Sequence, residues 1–457
     1  MWFGEDTLQL NKHPYDLSRV RNKLAFDLMK LIPHHQTLRT QFFEIDYTDG
    51  ISAANDAGPT GSLGLFTHVE KMSKSYVERR QWPLAGANLF KSANYGFNAD
   101  PLFKLDASGK PGADFQSFME VEVDSGGNYA PLLQLTADLE DENINFSSTF
   151  NTYFNKNNYL TWLATVILMG NYDTRNQNFA LYQHPTNGKF YFLPWDYDAA
   201  LDYSHQPRAD IYADWAYGVG NWWDSALHRR FMEEPGNMAL LKAAVTEIRD
   251  KYLNQANIKK LLDTYEPTVK TYIDQQPDKD NLPTDKNNPA SSRDQWQAEY
   301  NRLLTSVDTN YKAFIESLDH PMPFWMSQDA TAQGVEMHWS WPGPFHPQGH
   351  AITYELQVVS KSASALPAGK TPFDAPNASV KTVYSGGATS FTIPSSYAGN
   401  YWIRVLAKDQ ITGKQTYAFD TSYDPAATNS LGYQGQSYFG MVCMTLPSTA
   451  TCPGIEN

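Results

Sequence analysis

A change of periodicity around Pro321 and Pro323 limits what this chain can fold into more than any other feature. Before it, residues 238–253, 258–273 and 293–318 carry apolar side chains three and four positions apart, the repeat of a helix with one buried face. After it the repeat shortens to two. Residues 335–339, 352–359, 380–384, 390–393 and 401–407 alternate between turns rich in Gly, Pro and Ser, as the strands of a β-sandwich do. No single element satisfies both repeats, so the chain is expected to divide near residue 322. Its 457 residues also exceed what one hydrophobic core usually serves. The expected fold class is α+β over 1–321, followed by an all-β sandwich over 322–420 and a Gly/Ser/Thr-rich terminal strand or tail over 421–457.

Within the first part, residues 16–32 read as a helix capped by Asp16, with Leu17, Val20, Leu24 and Leu28 on one stripe and Pro33 as the stop. Residues 41–47 and 64–70 read as strands joined by a long Gly/Asp/Ala-rich loop, 48–62, and a short helix over 73–80 precedes a strand over 88–91. Residues 159–169 are apolar on every face, as a helix inside a domain would be. A hairpin follows, 179–183 and 189–193, around Pro185-Thr186-Asn187-Gly188, where Asn-Gly tolerates the positive φ of a tight turn. A polar, Pro-containing loop, 277–289, separates two of the later helices.

Charge removes several functions. The net charge is −14 and no Lys/Arg run is present, so a phosphate backbone or an anionic membrane would repel the chain. No nucleic-acid partner is expected. The most apolar window, 159–170, is shorter than the roughly 20 residues that cross a bilayer, so no membrane span is expected. Met1 to Asp6 show neither a basic start nor an apolar run, so no export signal is visible. Cys443 and Cys452 suit either a small terminal disulfide loop or two free thiols, and the scattered His residues do not join them in a zinc pattern.

The densest chemistry lies in 170–202. A buried helix delivers the chain to Asp173, Asn178 follows five residues later, and the hairpin returns the chain to Trp195-Asp196-Tyr197-Asp198. Because a hairpin brings its two ends together, Asp173, Asn178 and Asp196 are expected to converge. Phosphoryl transfer needs these types: an Asp to accept a hydroxyl proton, and oxygen ligands from Asn and Asp for a Mg²⁺ that also holds phosphates. Other readings share the residues. Asp and Asn cap turns, and Asp196, Asp198 and Asp202 could bind Ca²⁺ without catalysis, although EF-hand spacing is missing. A carboxylate-pair glycoside hydrolase suits the 14% aromatic content, but an acidic chain offers many such pairs.

Four stretches resemble the CotH-type family, named for spore coat protein H and built on an atypical protein-kinase fold. Asp16-Leu17-Ser18-Arg19-Val20-Arg21-Asn22-Lys23-Leu24-Ala25 is similar to its D-x-S-x-x-R-x-x-L-A stretch. Gly64 to Lys71 is similar to its G-x-Y-x-x-x-E strand, and Leu89-Phe90-Lys91 to its L-Y-K. Asp173 to Asn178 and Leu193 to Asp198 resemble its D-x-x-x-x-N and P-W-D-x-D. The resemblance implies ATP- and Mg²⁺- (or Mn²⁺-) dependent transfer of phosphate to serines of secreted or surface proteins. It makes Asp173 the catalytic base, Asn178 and Asp196 metal ligands with Asp198 beside them, and Glu70 and Lys91 the pair that orients ATP phosphates.

Two departures bear on that lobe. Relatives usually start with a β-rich, R-x-K-G-like segment that would precede residue 1, and the loop 48–62 replaces a short hairpin. The expectation is therefore an N-terminal lobe that is truncated or divergent, with a catalytically inactive, surface-binding pseudokinase as the alternative. The C-terminal part resembles a fibronectin type III domain in Trp339-Ser340-Trp341, in 352–358 and in 399–407. Such modules are generally spacers or adhesion elements of extracellular proteins; a rigid spacer is the expectation, with contact to a cell surface or polysaccharide as the alternative. An extracellular family also favours joined cysteines.

Overall fold

The computed structural model describes residues 4–5, 7–46, 61–201, 218–283, 293–361, 370–375, 378–428 and 434–457. Asp202 lies outside them, as do most of the loop expected over 48–62 and the later half of the loop expected over 277–289. The described chain forms two compact units, one of residues up to 201 with 224–312, the other of 218–223 with 313–457.

The first unit mixes helices with two antiparallel sheets. One sheet orders Leu10–Asn11, Ser62–Val69 and Thr40–Asp46, and the other orders Met119–Asp124, Asn88–Ser92, Phe179–Gln183 and Phe190–Pro194. Helix Lys156–Met169 starts where Asn155 accepts the Asn158 N–H at 3.0 Å, and from Trp162 onward every side chain is buried. It stops at Gly170, whose φ of +60° is left-handed and where an added Cβ would lie 2.6 Å from Asn310 Nδ2. That stop sends the chain into the residues of interest.

The helix expected from residue 16 starts later, at Arg21–Met29, with Val20 as N-cap. Arg19 sits at φ +62°, which no helix accommodates. The Asp16 carboxylate instead accepts the N–H groups of Ser18 and Arg21 at 2.9 Å each and pairs with the Arg21 guanidinium at 2.5 Å. Arg21 also reaches Glu299 and donates to the Ala200 carbonyl at 3.0 Å, with all three charged groups buried. A motif read as a cap is a buried ionic knot.

In the second unit a six-stranded and a three-stranded sheet face one core. Met337 and Trp339 of strand Gly334–Trp341 meet Leu356 of Ile352–Ser360 and Val405 of Gly399–Asp409. The stretch after 421 is not a loose tail. It supplies strands Thr421–Thr428, Gln434–Phe439, Val442–Leu446 and Ala450–Thr451, the third of which pairs with Gly399–Asp409. Its polar composition hid strands that need only one apolar face. Cys443 and Cys452 are joined, both buried beside Trp402 and Tyr438.

The cross-link spans nine positions, and closing so short a loop in the unfolded chain is worth about 2–3 kcal/mol. A Cys443→Ser/Cys452→Ser double variant should lower the second unit's unfolding free energy by that amount in a urea titration. An unchanged midpoint and slope would count against it.

Candidate functional site

At the open end of the central hairpin Phe179 pairs with Pro194, so Asn178 and Trp195 leave it side by side. Asn171 Nδ2 donates to the Asp196 carbonyl at 2.9 Å, and the Leu201 N–H donates to the Met169 carbonyl at 2.6 Å. These bonds lay the stretch after the buried helix against the stretch after the hairpin. Asn178 and Asp196 both adopt left-handed φ, +58° and +49°. Asn and Asp tolerate that conformation best, and strain of about 1 kcal/mol or more per residue is typical of functional loops.

Asp196 and Asp198 line a cleft of about 240 Å³ with Trp195, Asn22, Lys12 and His13. Asn22 Oδ1 accepts the Tyr197 N–H at 3.1 Å and so fixes the loop between the two acids. On the facing segment His13 is held at φ +50°, its carbonyl accepting from Asp16 N–H at 3.1 Å and from Arg19 Nη1 at 2.7 Å. Its Nδ1 lies 3.8 Å from Asp198 Oδ2. Lys12, beside it, is paired with Asp278 at 2.9 Å.

The two acids differ. Burial, then the charge of Asp198, pushes the Asp196 carboxyl up to about 6, whereas the neighbouring His13 imidazole leads in holding Asp198 below the usual carboxylate range. Two carboxylates crowded in a shielded cleft repel each other, and a divalent cation would relieve that repulsion. The hard oxygen donors fit Mg²⁺ or Mn²⁺.

Asp173 lies in the 3-10 turn Tyr172–Arg175, exposed, and neither it nor Asn178 lines this cleft. The same turn borders a second cleft of about 210 Å³, lined by Arg175 and Asn176 with Asn94, Asn98 and Asp224. Arg175 pairs with Asp224 there at 3.2 Å.

The Glu70–Lys91 ion pair expected from the sequence is not formed. Glu70 is fully buried among arginines, 3.2 Å from Arg39 Nε and 2.8 Å from Arg80 Nη2, with Arg79 also bonded to it. Lys91 pairs across its own sheet with Glu120 at 2.5 Å and Glu122 at 3.6 Å, and its ammonium sits 5.4 Å from the Trp195 ring centre. Glu70 follows strand Ser62–Val69 of one sheet and meets Arg79 and Arg80 at the end of helix Lys74–Arg79, whereas Lys91 lies in a strand of the other sheet and pairs with its neighbour strand. His13, Lys12 and Asn22 were missed. Asn22 lies inside the D-x-S-x-x-R-x-x-L-A stretch, where helix periodicity gives it no site role, and nothing local marks His13.

Burial raises the Glu70 carboxyl, but the bonds and charge of Arg80, then Arg79, and the Arg39 N–H outweigh it and hold it down at about 2. A depressed carboxylate contributes stability that is present above its unfolded value of about 4.3 and lost as pH falls through about 2. The contribution is on the order of 3 kcal/mol. The first unit should therefore lose stability between pH 4.5 and 2, and Glu70→Gln should flatten that slope in acid titrations followed by circular dichroism. An identical slope in the variant would refute the assignment.

Antiparallel sheets, a buried helix and a paired-carboxylate cleft at a hairpin's open end describe a two-unit α+β protein whose first unit carries an acidic cleft. The family model described as CotH kinase protein matches residues 1–314, and the chain belongs to that family. It is also similar to the inner spore coat protein H of Bacillus subtilis (strain 168), 25% identical over 206 residues, 43% of this chain and 50% of the relative. The matched stretch thus spans about half the length of that relative. Among the described residues no helix is long and apolar enough to cross a membrane.

Proposed function

We propose that the first unit is an atypical protein kinase that transfers the γ-phosphate of ATP to serine hydroxyls of secreted or surface proteins. The observation that carries the reading is the Asp196–Asp198 pair in one shielded cleft, its two carboxyls driven apart in proton affinity. Asp196 and Asp198 would hold Mg²⁺ or Mn²⁺, with Asn178, which leaves the hairpin next to Trp195, turned in as a further oxygen donor; the ion would supply charge neutralisation to the phosphates. Asp173 would accept the hydroxyl proton as the serine oxygen bonds to the γ-phosphorus and the bond to the β-γ bridging oxygen breaks, releasing ADP. The second cleft, sharing the Asp173 turn, is where the acceptor segment would dock. Lys91, whose ammonium sits 5.4 Å from the Trp195 ring centre, would contact phosphate once drawn from Glu120, while Glu70 would hold its arginine cluster together.

A spore coat relative supports an extracellular or coat location for this chain. The second unit is read as a fibronectin type III-like spacer through which a cell surface or polysaccharide would be contacted. A second reading, an inactive kinase-like binding protein, draws on the exposed Asp173 outside the acid cleft and the missing Glu70–Lys91 pair.

Incubation with γ-labelled ATP and Mg²⁺ or Mn²⁺ separates the two. Label on the chain itself or on an added serine-rich protein, absent with Asp196→Ala, supports the kinase. Equal label with wild type and variant, or none with either, leaves the binding protein as the answer.

A further inference from the structure

The acid cleft has a buried side chain on its wall whose hydrogen bonding is half complete. Asn22 is 2% exposed and stands in the first turn of helix Arg21–Met29, lining the cleft together with Asp196 and Asp198. Its neighbour decides which way round the amide sits. The Tyr197 N–H can only donate, so the atom 3.1 Å from it is the Asn22 carbonyl oxygen, and Nδ2 takes the other position. Among the described residues Nδ2 has no acceptor, the two carboxylates included. It is nevertheless not sealed in the interior, as Trp162 Nε1 and Tyr197 Oη are, so the small exposed part of Asn22 opens to the cleft.

A structural role accounts for the oxygen half alone. Holding the loop between the two acids takes one acceptor, which Asp or Ser would also supply. It does not account for a fixed N–H donor turned to the cleft. A water molecule can serve such a donor until a ligand replaces it, and the surroundings favour an anionic oxygen as that ligand. The first turn of a nine-residue helix is the positive end of its dipole, and Asp16, beside that end, is paired with Arg21. Lys12 lines the same cleft. A cation on Asp196 and Asp198 would draw phosphate oxygens to the same place.

We infer that Asn22 is a substrate-contacting residue of the acid cleft, donating from Nδ2 to a non-bridging oxygen of the metal-bound phosphates of ATP. The inference rests on the kinase reading of this cleft. It gives the bond between Asn22 and Tyr197 two tasks, because the contact that fixes the acid loop also aims the donor. One amide thereby sets the place of the cation and of the phosphates relative to each other.

The test follows the Asn22 amide directly, by NMR of the full chain isotope-labelled at its asparagine side chains. The Asn22 signal pair is identified as the pair lost in Asn22→Asp. Adding ATP with Mg²⁺ should move it, whereas Mg²⁺ alone, or Mg²⁺ with adenosine, should leave it in place. In calorimetric titrations Asn22→Asp, which keeps an oxygen for the Tyr197 N–H, should bind Mn²⁺ at least as tightly as wild type. It should bind ATP with Mn²⁺ about 10- to 100-fold more weakly, the loss expected for a hydrogen bond to a charged group. A wild type that binds ATP while the Asn22 pair stays still, or an Asn22→Asp chain that binds ATP like wild type, would overturn the inference and leave the kinase reading standing. A pair that moves as far with Mg²⁺ alone or with adenosine would overturn it too, making Asn22 a partner of the acids or the base. No ATP binding by wild type would overturn both readings.

Discussion

Asp173→Ala should reduce phosphate transfer by about 10²–10⁴-fold while leaving nucleotide binding near wild type, the loss usual for a general base. Asp196→Ala should behave differently. It removes an oxygen from the shielded acid pair, so Mn²⁺ affinity should fall by well over tenfold and transfer should fall with it. The geometry makes this contrast sharp, because Asp173 is exposed on its own turn whereas Asp196 lines the cleft with Asp198. Single-turnover transfer and Mn²⁺ titration on the same preparations read the two effects separately. If both variants lose metal binding equally, Asp173 is a ligand rather than a base, and if neither loses transfer, the carboxylates are structural.

The second large effect is on stability. Arg21 joins two buried carboxylates, Asp16 and Glu299, and also bonds the Ala200 carbonyl. Arg21→Ala leaves both acids buried without their shared cation, and breaking a buried pair from one side costs about 3–5 kcal/mol. The first unit should melt well before wild type, with the amides of helix Arg21–Met29 losing hydrogen-exchange protection. Replacing all three charged groups by apolar residues of similar volume should recover much of the loss, since the group left without its Glu299 partner, Arg302, is partly exposed rather than buried. Unchanged protection in the single variant would show that the knot carries little of the fold.

Periodicity and turn chemistry are local properties, so the hairpin around Asn187-Gly188 emerged as strands Phe179–Gln183 and Phe190–Pro194, and the buried helix as Lys156–Met169. Strand Met119–Asp124 and helix Ala130–Glu140 passed unseen, because a short segment with one apolar face leaves a faint repeat. The meeting of Asn178 with Trp195 was legible because a hairpin returns its own ends.

Partner choice was not legible. With 36 basic and 50 acidic residues, spacing along the chain does not say which charges meet: a helix end brought Arg79 and Arg80 to Glu70, and strand pairing brought Glu120 to Lys91. The sequence by itself determined the repeat lengths, the turns and the run of residues from Asp173 to Asp198. Tertiary structure alone decided that His13 and Asn22 would join Asp196 and Asp198 and that Arg21 would bridge two acids. The reason is physical: backbone repeats are set by neighbours two to four residues away along the chain, whereas a site is set by which elements bury their faces together.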